Sequence, residues 1–208
     1  MSELLFNELP RPTFRWLRVN HTVSSLAGED TAVQSIAVEA NKDILSPLPV
    51  GTALLDGNYE GANKEAVHVL VEKAEGYAIN VPPKAKEVVG IRIDANARVA
   101  NRFQFIVGKG AELEVQFYVT GSGDALTNVS YLNEYDVKEA GKVVVKKVNL
   151  LPEHVQHIEH RYTKLEEKAD VEYINIEIGG SENILNYYHD LVGQESRMIH
   201  DIAYLGNK

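Results

Sequence analysis

Two stretches, DVKEAGKVVVKKVNLL at 136–151 and TKLEEKADVEYINIEIGG at 163–180, share one cadence. Each runs from an apolar residue through three mostly polar or small residues, a small residue and one polar residue into a short alternating apolar segment. Further copies begin at Val71 (VEKAEGYAI), Ile93 (IDANARVAN), Val107 (VGKGAELEV) and Val192 (VGQESRMIH). With Val137 and Leu165, the starts are separated by 22, 14, 30, 28 and 27 residues, one period or about half of it. Self-similarity at such a period is the signature of a repeat architecture.

The turns GKGA, EAGK and EKAD lead into alternating residues, as at Leu113, Val115, Phe117 and Val119, or Val171, Tyr173, Ile174 and Ile176. Period-two alternation argues for strands with one buried face. One such strand cannot bury its apolar face alone, whereas stacked coils share a continuous core. The sequence therefore predicts a mainly β chain, a right-handed parallel β-helix (β-solenoid) over residues 66–208, preceded by a small irregular or α N-terminal region at 1–65. A β-sandwich would also show short, evenly spaced strands, but the 27 to 30 residue spacing favours the solenoid.

Within 1–65, SELLFNELP is expected to form a short helix ended by Pro10 and Pro12, and SPLPVGTALLDGNYEGAN reads as a turn-rich connector. Residues 22–40 carry no clear pattern. Solenoids need caps over their apolar ends, and nothing after Tyr204 and Leu205 reads as one. The expectation is a fragment of a longer protein, uncapped at its C-terminal end.

Thirty acidic against twenty-one basic side chains give a net charge of −9 over 208 residues. Such a chain repels phosphate backbones unless it hides a basic stripe. Arg11, Arg15 and Arg18, or Lys142, Lys146 and Lys147, are short clusters better read as solvated faces, so no nucleic-acid partner is expected. The chain has no cysteine, which removes disulfides, thiolate metal sites and cysteine nucleophiles. No signal peptide or membrane-spanning stretch is evident, which points to a cytoplasmic protein without a membrane partner. The sequons at Asn20 and Asn128 are then incidental.

The tightest chemical constellation is His154, His157 and His160 in PEHVQHIEHRY. On a helix, with Glu153 and Glu159 nearby, these imidazoles approach one cation. On a strand His154 and His160 share one face and His157 takes the other, so they remain weak metal candidates. Tyr187 to Asp190 (YYHD), and His200 with Asp201, supply acid and base groups without a nucleophile elbow. Gly121 to Asp124 (GSGD) lacks the lysine of a phosphate loop. Glu112 and Glu114 share a strand face but read as exposed acids rather than a glycosidase pair. No catalytic centre emerges, so the chain is expected not to be an enzyme.

LPRPTFRWLRVN, GYAINVPPKAKEVVGIRI (76–93), VGKGAELEV (107–115), VNLLPEHVQHIEHRYTKLEEKADVEYINIEIGG (148–180) and DLVGQESRMIHDIAYLG (190–206) together resemble the SufB/SufD family. These are paralogous scaffold subunits of the SUF iron–sulfur cluster assembly machinery. The resemblance implies a parallel β-helix between an N-terminal and a C-terminal helical region, the latter docking the ABC-type ATPase SufC. It implies a SufB-like paralogue and a SufC-like ATPase as partners, with a homodimer as another association. An iron–sulfur cluster is implied in the complex, though none is expected on this chain alone. The missing cysteine makes SufD the better match. The family's C-terminal coils and ATPase-binding helices have no counterpart before Lys208, so no site residue is carried over.

The alternative function is a polysaccharide-active β-helix enzyme. It would stack acidic and basic residues at equivalent positions on successive coils, and no such stack is evident in the sequence.

Overall fold

The computed structural model describes residues 36–55, 64–96, 98–122 and 127–206, and the backbone of short strands at 3–6 and 22–25. The elements, in order, are β1 (Glu3–Phe6), β2 (Thr22–Ser25), β3 (Ile36–Glu39), β4 (Leu45–Leu48), α1 (Lys64–Lys73), β5 (Gly76–Val81), β6 (Lys86–Asp94) and β7 (Val99–Val107). There follow β8 (Glu112–Thr120), β9 (Thr127–Val137), β10 (Lys142–Asn149), β11 (Val155–Leu165), β12 (Asp170–Glu177), β13 (Glu182–Leu191) and β14 (Arg197–Tyr204).

From β5 onward the chain alternates between two six-stranded sheets, ordered β14-β12-β10-β8-β6-β3 and β13-β11-β9-β7-β5-β4. Neighbours among β5 to β14 pair in parallel, and successive strands of opposite sheets make one coil. The chain is a parallel β-solenoid of about four turns. Lys86, Glu112, Lys142, Asp170 and Arg197 are successive register partners, at steps of 26, 30, 28 and 27 residues.

The repeat seen in sequence is thus the coil itself, with two corrections. Val107, Val137 and Leu165 are register partners, but the partner of Val107 one coil earlier is Val81 rather than Val71. Val71 lies in α1, where its apolar spacing serves a helix face. Ile93 belongs to the opposite corner of the coil, opposite Val119, which explains the half-period spacing.

Each coil turns on the same device. Ala85, Ala111, Gly141, Ala169 and Ser196 donate their N–H groups to the carbonyls three residues back. The residue before each has positive φ: Lys84 at 63°, Gly110 at 64°, Ala140 at 55°, Lys168 at 56° and Glu195 at 57°. Positive φ at the third turn position is the type II requirement, and Pro83 suits the position before Lys84. The turns also stack. Lys84, Gly110, Ala140 and Lys168 donate across to Lys109, Glu139, Glu167 and Gln194 on the next coil.

Inward residues of both sheets meet in one core. Val115, Phe117, Val143, Val145, Val171 and Tyr173 are buried in it. Ile176 faces outward, 37% exposed, because Tyr173 and Asn175 occupy the inward parity of β12. Phe105 stacks on its register partner Tyr135 with centroids 4.5 Å apart. Fully burying an aliphatic or Phe side chain contributes about 1.5–3 kcal/mol, which compensates coils whose contacts are nearly all non-local.

One expectation for the N-terminal part is corrected. The segment read as a helix before Pro10 contains strand β1, whose backbone pairs antiparallel with β2. A few residues ahead of a proline cannot repay the nucleation of a helix. A helix instead spans Lys64–Lys73. Its Ala66, Val67, Leu70 and Val71 pack, with Ala74 just beyond it, against Leu132, Ile158, Tyr162 and Ile184 on the outer face of the second sheet. Buried Arg102 donates from Nη1 to the Val71 carbonyl at 2.7 Å, satisfying the helix C-terminus, and from Nη2 to the Thr52 carbonyl. Strands β3 and β4 pair antiparallel with β6 and β5 and close the strand edges of the first coil.

Candidate functional site

The interior of the solenoid changes character along its length. The inward position held by Ile91 and then Phe117 passes to Lys147 and Asn175. The position of Phe103 passes to Asn133, Arg161 and Tyr187, and that of Val99 and Val129 to His157 and Asn183. In β10, period two puts Lys147 on the face of Val143 and Val145. Lys147 is therefore fully buried, not part of a solvated stripe, whereas Lys142 and Lys146 are exposed. Arg11, Arg15 and Arg18 lie outside the described residues.

Glu159 is the hub of this interior. Lys147 Nζ lies 2.5 Å from its Oε2 and also contacts Glu177 Oε1, with all three side chains fully buried. Arg161 donates from Nε and Nη2 to Glu159 Oε1 at 3.1 and 2.6 Å. The hydroxyl of Tyr187 donates to Oε2 at 3.0 Å, and Asn133 Nδ2 to Oε1 at 3.0 Å. The guanidinium carbon of Arg161 sits 4.2 Å from the Tyr173 ring centroid and 4.3 Å from that of Tyr187. A cation between two aromatic faces is favoured where water is excluded.

Burial alone would raise the Glu159 carboxyl, but Arg161 and Lys147 outweigh it and hold the group well below the usual carboxylate range. Burial would lower Arg161, yet Glu159 and the surrounding tyrosines raise it above its ordinary value. Removal from water pushes the Tyr173 hydroxyl up to about 12, and those of Tyr131 and Tyr187 also upward. At neutral pH the site is an ionised Glu–Arg pair ringed by neutral phenols.

The expected histidine trio is not brought together. His154 lies in the turn ahead of β11, while His157 and His160 take alternate faces of that strand. His157 faces the interior, its Nε2 3.0 Å from the Tyr131 hydroxyl and its Nδ1 3.2 Å from Asn149 Nδ2 and 3.0 Å from Asn183 Oδ1. Burial, and then Lys147, push it down to about 3. His160 faces the outer side, 3.4 Å from Asn186 Nδ2, and burial pushes it down to about 4. Among the described residues no group of three or more His, Cys, Asp or Glu is arranged to hold a metal ion. These donors do not fit a self-contained iron–sulfur site, which calls for thiolates.

The remaining motifs resolve by strand parity. Tyr187 and His189 point inward and Tyr188 and Asp190 outward on β13, while His200 points inward and Asp201 outward on β14. Burial pushes both His189 and His200 down to about 4. Glu112 and Glu114 point outward, 2.8 Å from Lys86 and 2.9 Å from Lys146. Of GSGD, Gly123 and Asp124 lie outside the described residues. A stack of charges on successive coils does exist, contrary to expectation: Lys86, Glu112, Lys142, Asp170 and Arg197 form one outward column. Its signs alternate, with Lys86–Glu112 at 2.8 Å and Asp170–Arg197 at 2.5 Å, so these charges engage one another along the column.

Sequence reasoning missed the interior cluster, although its signal was present. Lys147, Glu159 and Arg161 sit at inward parity in alternating strands, where an apolar residue is the ordinary choice.

Fold and interior together define a parallel β-solenoid carrying a buried ionic cluster. The SufBD core domain of the SUF system for FeS cluster assembly matches residues 91–208, more than half of the chain. The chain belongs to this family. Comparison with curated proteins and with solved structures returned no match.

Proposed function

We propose that this chain acts as a SufD-like, non-catalytic scaffold subunit in iron–sulfur cluster assembly. It associates in the cytoplasm with a SufB-like paralogue and a SufC-like ABC ATPase, and the cluster is cargo. The observation that carries this reading is a SufBD core match over a chain with no cysteine. Cluster irons favour soft thiolate donors, so the thiolates come from the paralogue. The buried cluster around Glu159 supports a scaffold role, because its charges are spent on one another rather than aimed at an open groove. Among the described residues no helix is long and apolar enough to cross a membrane, which is compatible with this placement.

Co-expression of the tagged chain with a SufB-like paralogue and a SufC-like ATPase tests the assignment. The reading expects both to be retained on affinity purification; recovery of the chain alone would contradict it.

A further inference from the structure

The two carboxylates that meet Lys147 are held very differently. Glu159 Oε1 accepts from Arg161 and Asn133, which leaves Oε2 directed at Lys147 Nζ and the Tyr187 hydroxyl. Glu177 has no such support. Lys147 Nζ contacts its Oε1, and His157 Nδ1 lies 3.9 Å from its Oε2. Beyond these, neither Glu177 oxygen has a hydrogen-bond partner among the described residues. All three side chains of the lysine and the two glutamates are fully buried.

Lys147 and Glu177 stand diagonally on neighbouring parallel strands, both at inward parity: the register partner of Lys147 is Asn175, two residues before Glu177. Glu159 reaches the same nitrogen from β11 in the opposite sheet. An amine thus lies between two carboxylates in a space closed to water. Reactants held in contact need no bimolecular encounter, and exclusion of water favours a condensation whose by-product is water. Buried charges carry a desolvation cost. Joining Lys147 to Glu177 removes one charge of each sign and leaves Glu159 paired with Arg161.

We propose that Lys147 and Glu177 condense into an intramolecular isopeptide bond, with Glu159 as the general base. Glu159 Oε2 takes a proton from the Lys147 ammonium, and the freed Nζ attacks Glu177 Cδ. The Nζ–Cδ bond forms, the Cδ–Oε1 bond breaks, and the oxygen departs as water. Both protons of that water come from the ammonium by way of Glu159, which returns to its ionised form; the step is redox-neutral. The product is a covalent rung between consecutive coils, joining β10 to β12. The proposal rests on these side chains and not on the family assignment.

Intact-protein mass spectrometry of the purified, folded chain tests it. The expected mass is one water below that of the sequence, after allowing for the initiator methionine. Tandem spectra of a tryptic digest should show a branched peptide joined at Lys147 and Glu177, with no cleavage after Lys147. Lys147→Arg keeps a cation that does not condense, and Glu159→Gln removes the base; both should show their full sequence mass, with circular dichroism as the control for folding. The parent chain alone gives the decisive mass, so a variant that fails to fold leaves the test intact. Full sequence mass in the folded parent, or a water loss that persists in Lys147→Arg or Glu159→Gln, overturns the proposal.

Discussion

The Lys147 ammonium and the Glu159 carboxylate lie 2.5 Å apart with neither side chain exposed, on strands that face each other across the solenoid interior. One coil earlier the Lys147 position is held by Phe117. A charged pair has therefore replaced apolar packing in the later coils, and it holds only because Arg161, Glu177 and Tyr187 complete it. Breaking a buried pair by removing one partner costs about 3–5 kcal/mol, since an uncompensated charge stays behind. Lys147→Met should lose stability on that scale, and Lys147→Met with Glu177→Gln should lose less. Urea unfolding of the three proteins checks this; equal stability of Lys147→Met and the parent would refute it.

Acid should destabilise the fold in two overlapping windows. His157 titrates near 3 when folded, against an ordinary value of 6.5, so between these values the unfolded chain takes up a proton that the folded chain refuses. His160, His189 and His200, each pushed down to about 4, act in the same direction. Glu159 is depressed, so its contribution is present above the ordinary carboxylate range and is lost as pH falls below it. Stability should therefore fall steadily from pH 7 downward, and His157→Gln should flatten the upper part of the slope. Urea midpoints along a pH series provide the measurement.

The glycines divide by what surrounds them. A Cβ at Gly193 would lie 2.0 Å from the Glu167 nitrogen, a backbone atom of the preceding coil that cannot yield. At Gly110 the nearest atom is Lys84 Cγ at 4.0 Å, and equivalent turns carry Lys84, Ala140 and Lys168 at positive φ. Gly193→Ala should severely destabilise the last coils, whereas Gly110→Ala should cost only about 1–2 kcal/mol from its left-handed backbone. Thermal unfolding of both variants distinguishes these effects.

The solenoid was legible because a coil repeats the same turn and the same alternation, and Val107, Val137 and Leu165 fall on one register line. The helix was not: Val67, Leu70 and Val71 share a helical face, but Val71 also fits the start of a repeat, and local pattern cannot decide between them. The histidines drew attention by proximity in sequence, whereas the buried cluster joins Lys147, Glu159 and Glu177 from three strands in two sheets. Only the period-two parity of β10 and β11 announced it. The charge column on the outside was equally hidden, since its members are 26 to 30 residues apart.

The central claim is that this chain is a scaffold whose cluster chemistry depends on a partner's thiolates. Anaerobic reconstitution with iron and sulfide, followed by desalting and assays of iron and acid-labile sulfide, tests it most directly. The isolated chain should emerge essentially colourless, while its complex with a SufB-like paralogue and a SufC-like ATPase should retain a cluster. Stoichiometric iron and sulfide on the isolated chain, lost on His157→Ala, would contradict the account.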